Sequence, residues 1–233
     1  MFVEVLSERK AWKPTGMSRD EWFRRNTWTE RDREEFNTRL KRSRSSKAQY
    51  LRIQAFHLAE AHHHRAAIEL LDRIFADFPE RTEMACAHLQ KAKCLVRLGQ
   101  DDAAIEEFRA ALQTERSFPN SRTSAWLGFG CFIVEKRRTE LYDEVERVLK
   151  EFSAAWHLPL PVERYRYFGI RAYVAAEKGM MTEASDFARE AIAEAAKQQS
   201  GLRYHPKLGL VENVDSQFAR GLAALAAESV RDS

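Results

Sequence analysis

Residues 57–64 read HLAEAHHH, which puts four of the seven histidines within eight positions. Imidazole is a common zinc ligand, and a helical zinc pair uses i, i+4 spacing, as in H-E-x-x-H. His57 lies five residues before His62 and seven before His64, so the nearer spacing misses that geometry. Three consecutive turn residues point in different directions and do not converge on one ion. The histidines therefore read as a turn, with neither a metal nor a cofactor expected. Cys86, Cys94 and Cys131 offer no CxxC pair. On one helix Cys86 and Cys94 would be about 12 Å apart, whereas a disulfide needs Cα atoms within roughly 7 Å. Reduced thiols and a cytoplasmic address are the expectation.

A second chemistry is phosphate binding. NTRLKRSRSSKAQYLR carries Arg39, Lys41, Arg42, Arg44, Lys47 and Arg52, and residues 1–52 hold fourteen Lys/Arg against eight Asp/Glu. Such a stretch can meet nucleic acid in a salt-dependent way. It lacks interleaved aromatics for base stacking and matches no groove-reading motif. The alternative is a solvated helix end whose cations complement the helix dipole. Arg203, Tyr204, His205 and Lys207 form another possible anion-binding corner, although Pro206 fits a stiff connection better. No G-x-S-x-G, P-loop, Gly-rich dinucleotide turn or H-E-x-x-H is present, so no catalytic residues are expected and the chain reads as non-enzymatic.

The elements that would position these residues are helices. From Ser46 onward the apolar residues follow helical periodicity, and only FVEV (2–5) and LGLV (208–211) suggest short strands. Ser18 with Glu21, Thr82 and Thr182 read as helix caps; Pro79, Gly99, Pro119, the LPLPV stretch, Gly179 and Gly201 read as stops. Trp22, Phe23 and Phe36 fit the apolar face of a capping helix pair, with an exposed aromatic anchor for a partner as the sharper alternative. Phe218, Leu222 and Leu225 fit a final helix covering the end of the chain's core. A hydrophobic content of 44% and a charged content of 31% suit a water-soluble domain. The N-terminus has no long apolar core of a secretory signal, and no run approaches the length of a membrane span.

The helices also repeat. KAKCLVRLGQDDAAIEEFRAAL places Ala92, Leu95, Gly99, Ala104, Phe108 and Ala111 in a frame. Eighty residues later Ala172, Ala175, Gly179, Ala184, Ala188 and Ala191 share that spacing. Leu51, Ala55, Leu58, Ala67, Leu71, Ile74 and Pro79 follow it too, with His62 where the others have glycine. A further unit fits W-x2-F-G-x2-I through Trp126, Phe129, Gly130 and Ile133, but its second helix, ELYDEVERVLKEF, lacks the alanine. The small residues at 55, 92, 130 and 172 are 37, 38 and 42 apart. Small residues on facing helices let two axes approach closely.

This pattern resembles the tetratricopeptide repeat. DEWFRRNTW, QYLRIQAFHLAEA and SGLRYHPKLGLV also resemble segments of bacterial proteins that carry such repeats. The resemblance implies an all-α, right-handed superhelix of antiparallel helix pairs over 46–199. A basic, Trp-rich helical cap would occupy 1–45, and an extended connection with a capping helix 200–233. It further implies a protein-interaction scaffold binding a polypeptide in a concave groove lined by the first helix of each pair. Mapped residue by residue, the first pair offers Gln49, Arg52, Phe56 and Glu60, and the second Leu89, Lys93 and Arg97. The third offers Leu127, Cys131 and Glu135, and the fourth Arg166, Tyr173 and Glu177. No asparagine falls in this set, which departs from the family's carboxylate-holding Lys/Asn/Arg arrangement. The cations and flat rings suit an extended, partly acidic segment. The alternative is a regulator whose basic N-terminal segment contacts nucleic acid; no membrane partner is expected.

Overall fold

A computed structural model describes residues 22–155, 158–212 and 216–228. It contains ten α-helices: α1 Glu30–Arg42, α2 Lys47–Glu60, α3 His64–Asp77, α4 Arg81–Arg97, α5 Asp101–Ser117, α6 Ala125–Glu135, α7 Tyr142–Ala155, α8 Pro161–Glu177, α9 Met181–Ala195 and α10 Gln217–Glu228. A 3-10 turn, Thr139–Leu141, precedes α7. Among the described residues there is no strand, and LGLV lies in a turn and an irregular segment instead. FVEV, Trp12 and the Ser18/Glu21 cap lie outside the described residues. The chain divides after Ala125 into two compact units.

Four helix pairs, α2/α3, α4/α5, α6/α7 and α8/α9, share one turn. The carbonyls of Leu58, Leu95, Ile133 and Ala175 accept N–H bonds from His63 (2.8 Å), Gln100 (3.0 Å), Arg138 (3.1 Å) and Met180 (2.9 Å). The residue just before each donor is left-handed: His62 at φ 64°, Gly99 at 70°, Arg137 at 52° and Gly179 at 75°. A left-handed residue closed by a six-to-one bond ends the first helix and reverses the chain. The same turn sets the start of the second helix. The residues before α3, α5 and α9 are His63, Gln100 and Met180, with ψ of 53°, 67° and 65° and no side-chain cap. Thr182 is therefore inside α9, and Thr82 is inside α4, which starts from Glu80 after Pro79. α3 and α5 end alike, on Phe78 (φ −141°) and Phe118 (φ −142°), each followed by a proline that disfavours helical geometry.

The small residues sit where the helices meet. Ala55, Ala92 and Ala172 on first helices and Ala67, Ala104 and Ala184 on second helices are all at most 1% exposed. At Gly130 on α6 an added Cβ would lie 2.9 Å from Ile170 Cδ1 on α8 and 3.4 Å from Val145 Cγ1 on α7. Tyr142 stands in the alanine position of the third pair, five residues after the left-handed Arg137, and is 5% exposed.

In the N-terminal unit Phe36, Leu51, Leu58, Leu71 and Ile74 are buried together. Trp22 and Phe23 were expected on a helix, but they lie in a turn before α1. The Trp22 ring packs 5.2 Å from Phe36 and 5.1 Å from Tyr50, so these aromatics serve the core. Gln54, fully buried, holds this segment down. The Arg25 N–H donates to Gln54 Oε1 (3.1 Å), and Gln54 Nε2 donates to the Arg25 carbonyl (2.8 Å). In the C-terminal unit α10 packs mainly on α9 and also meets α8, and α4 meets the pair before it in the same order, α3 more than α2, besides packing on its own partner α5. Phe218 and Leu222 of α10 are buried, and Leu225 is half-buried.

Candidate partner-binding faces

On the N-terminal unit α2 and α4 lie side by side. The Arg52 guanidinium donates to the Glu83 carboxylate, with both side chains mostly covered, and so ties one first helix to the next. Around this link Gln49, Phe56, Glu60 and Arg97 are exposed and Lys93 is half-buried. Phe56 is 45% exposed, and among the described residues it is the one large apolar side chain of the first helices that is exposed. Leu89, at 7% exposure, belongs to the packing instead. Burial pushes up the Cys86 thiol and raises Cys94 to about 12, so neither is a ready nucleophile.

The expected residues of the C-terminal unit are differently placed. Leu127 is 1% exposed and Arg166 8%, and burial raises the Cys131 thiol to about 12. The Tyr173 hydroxyl donates to the Phe218 carbonyl (2.8 Å), and its ring lies 5.2 Å from that of Phe218. α10 thus occupies the Tyr173 side of α8. Glu135 and Glu177 are exposed. The residues mapped onto first helices are therefore of two kinds: accessible ones on α2 and α4, and largely packed ones on α6 and α8.

The histidine cluster is a turn. His62 supplies its left-handed residue, and the His62 and His64 rings meet edge-on at 5.9 Å. Burial, then the charges of His62, Arg97 and His63, lowers the proton affinity of His64. Arg33 and Arg65 line the same open cavity of about 400 Å³, and such a cationic setting opposes a metal ion. Among the described residues no group of three or more His, Cys, Asp or Glu is placed to hold a metal.

The basic stretch does not form one unbroken surface. Arg39, Lys41 and Arg42 end α1, where their charge suits the helix dipole. Lys47 lies over the Phe78 ring at 5.6 Å, and Arg52 is taken by Glu83. Arg203, Tyr204, His205 and Lys207 are exposed on an ordered turn held by Ser200, whose N–H donates to the Pro206 carbonyl (2.7 Å) and whose Oγ donates to the His205 carbonyl (2.8 Å). The Val162 N–H donates to the Gly209 carbonyl (2.8 Å), fixing that turn to the start of α8.

Residues 58–122 match the family model described as Tetratricopeptide repeat. No curated protein and no solved structure matches the chain. The matched span runs from the end of α2 through α5, and the left-handed turn within it recurs in all four pairs. The chain is a tetratricopeptide-like helical repeat protein. Repeats of this class are typically non-catalytic interaction modules. Among the described residues no helix is long and apolar enough to cross a membrane.

Two features were missed by reasoning from sequence. One is Gln54, which clamps the 22–28 segment; the other is Arg171, which lines a cavity described below. Both directly precede the small residue of a first helix, so the repeat frame held a signal that residue type alone did not.

Proposed function

We propose that the protein is a non-enzymatic scaffold that binds an extended polypeptide on its first helices, chiefly through α2 and α4. The observation that carries this reading is the exposed Phe56 on α2, beside an α4 that carries Lys93 and the exposed Arg97. A flat apolar contact flanked by cations suits a segment mixing acidic and apolar side chains. Gln49 adds a hydrogen-bonding group on the same helix. The Arg52–Glu83 pair holds α2 and α4 in register, and so serves the face as a brace more than as a free cation. Leu89 supports that face from within the packing, whereas Leu127, Arg166 and Tyr173 serve the packing of the C-terminal unit.

Selection from a random peptide library on the full chain tests this reading. Enrichment of acidic, apolar sequences is expected, and it should disappear in a Phe56→Asp/Arg97→Glu variant with an unchanged melting temperature. Equal enrichment by that variant would move the binding face off α2 and α4. A nucleic-acid role for the basic N-terminal stretch has less support, because its cations are divided among a helix end, a ring contact and an ion pair. Mobility shifts on DNA and RNA at low and moderate salt would reveal it.

A further inference from the structure

One repeat position behaves differently in different pairs. The residue directly before the small residue of the first helix is Gln54, Lys91, Phe129 and Arg171 in turn. In the first pair Gln54 is satisfied by the backbone of Arg25. In the second, the Lys91 ammonium is held by Asp72 (2.7 Å) and Glu107 (2.8 Å). The chain fills both positions with its own polar groups.

Arg171 keeps the cation and has lost both carboxylates. The counterpart of Glu107, three residues after the alanine of the second helix, is Phe187. The counterpart of Asp72, counted from the left-handed turn residue, is Arg147. The Arg171 guanidinium carbon lies 3.9 Å from the Phe187 ring centroid and 5.5 Å from that of Tyr167, whose hydroxyl accepts from Nη1 at 3.4 Å. No carboxylate among the described residues pairs with it. A guanidinium stacked on a ring keeps its in-plane N–H edge free for a planar anion.

Space is present as well. In the second pair Phe75 of α3 stacks on His88 at 4.2 Å and covers Lys91 at 5.5 Å. Its counterpart on α7 is Lys150, and there a cavity of about 310 Å³ opens between α7, α8 and α9. Leu149, Val174 and Met180 give it apolar walls. Glu146 on its edge is already bound to Lys178 (2.6 Å). Glu183 is the other carboxylate of the lining. Because Lys178 is shared with Asp143 (2.8 Å) the charges around the cavity balance, so Arg171 is set apart by its ring stacking and not by an excess of cations.

We propose that this cavity binds a carboxylate carried on an apolar stem, the carboxylate on Arg171 and Lys150 and the stem against Leu149, Val174 and Met180. The ligand supplies from outside the group that Asp72 and Glu107 supply to Lys91 from within. The site is independent of the α2/α4 face.

Its test is a methyl NMR titration of the full chain, following Met180. The probes are N-acetyl-Leu-Glu-amide, its Leu-Gln counterpart and 4-phenylbutyrate. At least one acid should shift the Met180 methyl, and the Leu-Gln peptide should bind about tenfold more weakly or not at all, since a hydrogen bond to a charged group carries that much discrimination. Arg171→Gln should lose a similar factor. Lys150→Gln, at an exposed position, should weaken binding even if Arg171→Gln fails to fold. Response to the peptide assigns the site to an acidic side chain of a partner, and response to phenylbutyrate alone assigns it to a small organic acid. Phe56→Asp/Arg97→Glu should titrate like the parent, which separates this site from the α2/α4 face. Equal affinity for the Glu and Gln peptides, parent-like affinity in the folded cavity variants, or no response to either acid at about 10 mM would overturn the proposal.

Discussion

His62 and Arg137 carry β-carbons in a backbone region that favours glycine, while Gly99 and Gly179 fill the same place in the other two pairs. The left-handed conformation costs an L-residue roughly 1–2 kcal/mol. His62→Gly should therefore raise stability by about 1 kcal/mol, less what glycine loses by freeing the unfolded chain. Urea denaturation measures it. Gly99→Ala should do the reverse by about 1 kcal/mol. No atom lies within 4 Å of the added Cβ there, so the loss would come from the backbone alone. His64 gives a pH dependence. Burial, with His62, Arg97 and His63, lowers its pKa in the folded state, so the unfolded chain binds the proton more readily. Its contribution to stability is present above the ordinary value of about 6.5 and is lost as pH falls through the lowered one. Stability should fall from neutral pH towards pH 5 more steeply in the parent than in His64→Asn, by denaturant midpoint across that range.

At the scale of elements, Ala104 is fully buried where α4 and α5 pack, and a leucine there should overpack the contact by roughly 1–3 kcal/mol, read by melting temperature. Gly169→Ala acts on α10, because the new Cβ would lie 2.6 Å from the Phe218 ring. That change should loosen α10 and speed amide exchange there, with α4 and α5 unaffected. The helix pairs were legible because two signals coincide in the sequence, a small residue at each crossing and, in two of the pairs, a glycine seven residues further on. His62 was placed in the turn by that frame alone, and its φ of 64° agrees. Helix starts were less legible. Thr82 and Thr182 looked like caps, but a proline or a left-handed turn sets the start two residues earlier in each case. Trp22 and Phe23 carried a helix-like apolar pattern, yet their role depends on Gln54 gripping the Arg25 backbone, a contact 29 residues away in sequence. Tyr173 and Arg166 looked accessible for a similar reason: periodicity gives a helix face but does not say whether another element covers it.

At the scale of the whole molecule, each unit completes its packing with an added helix, α1 in one and α10 in the other. Repeats need such closure because each pair buries only part of its apolar surface alone. What the units offer a partner differs in consequence. The N-terminal unit leaves Phe56, Gln49 and Arg97 accessible, whereas α10 draws Tyr173 into the C-terminal unit. Amide hydrogen exchange of the full chain, with and without a peptide enriched in the selection, bears most directly on the binding claim. New protection is expected on α2 and α4, around Phe56 and Arg97. Protection confined to other helices, with α2 and α4 exchanging as in the free protein, would contradict it.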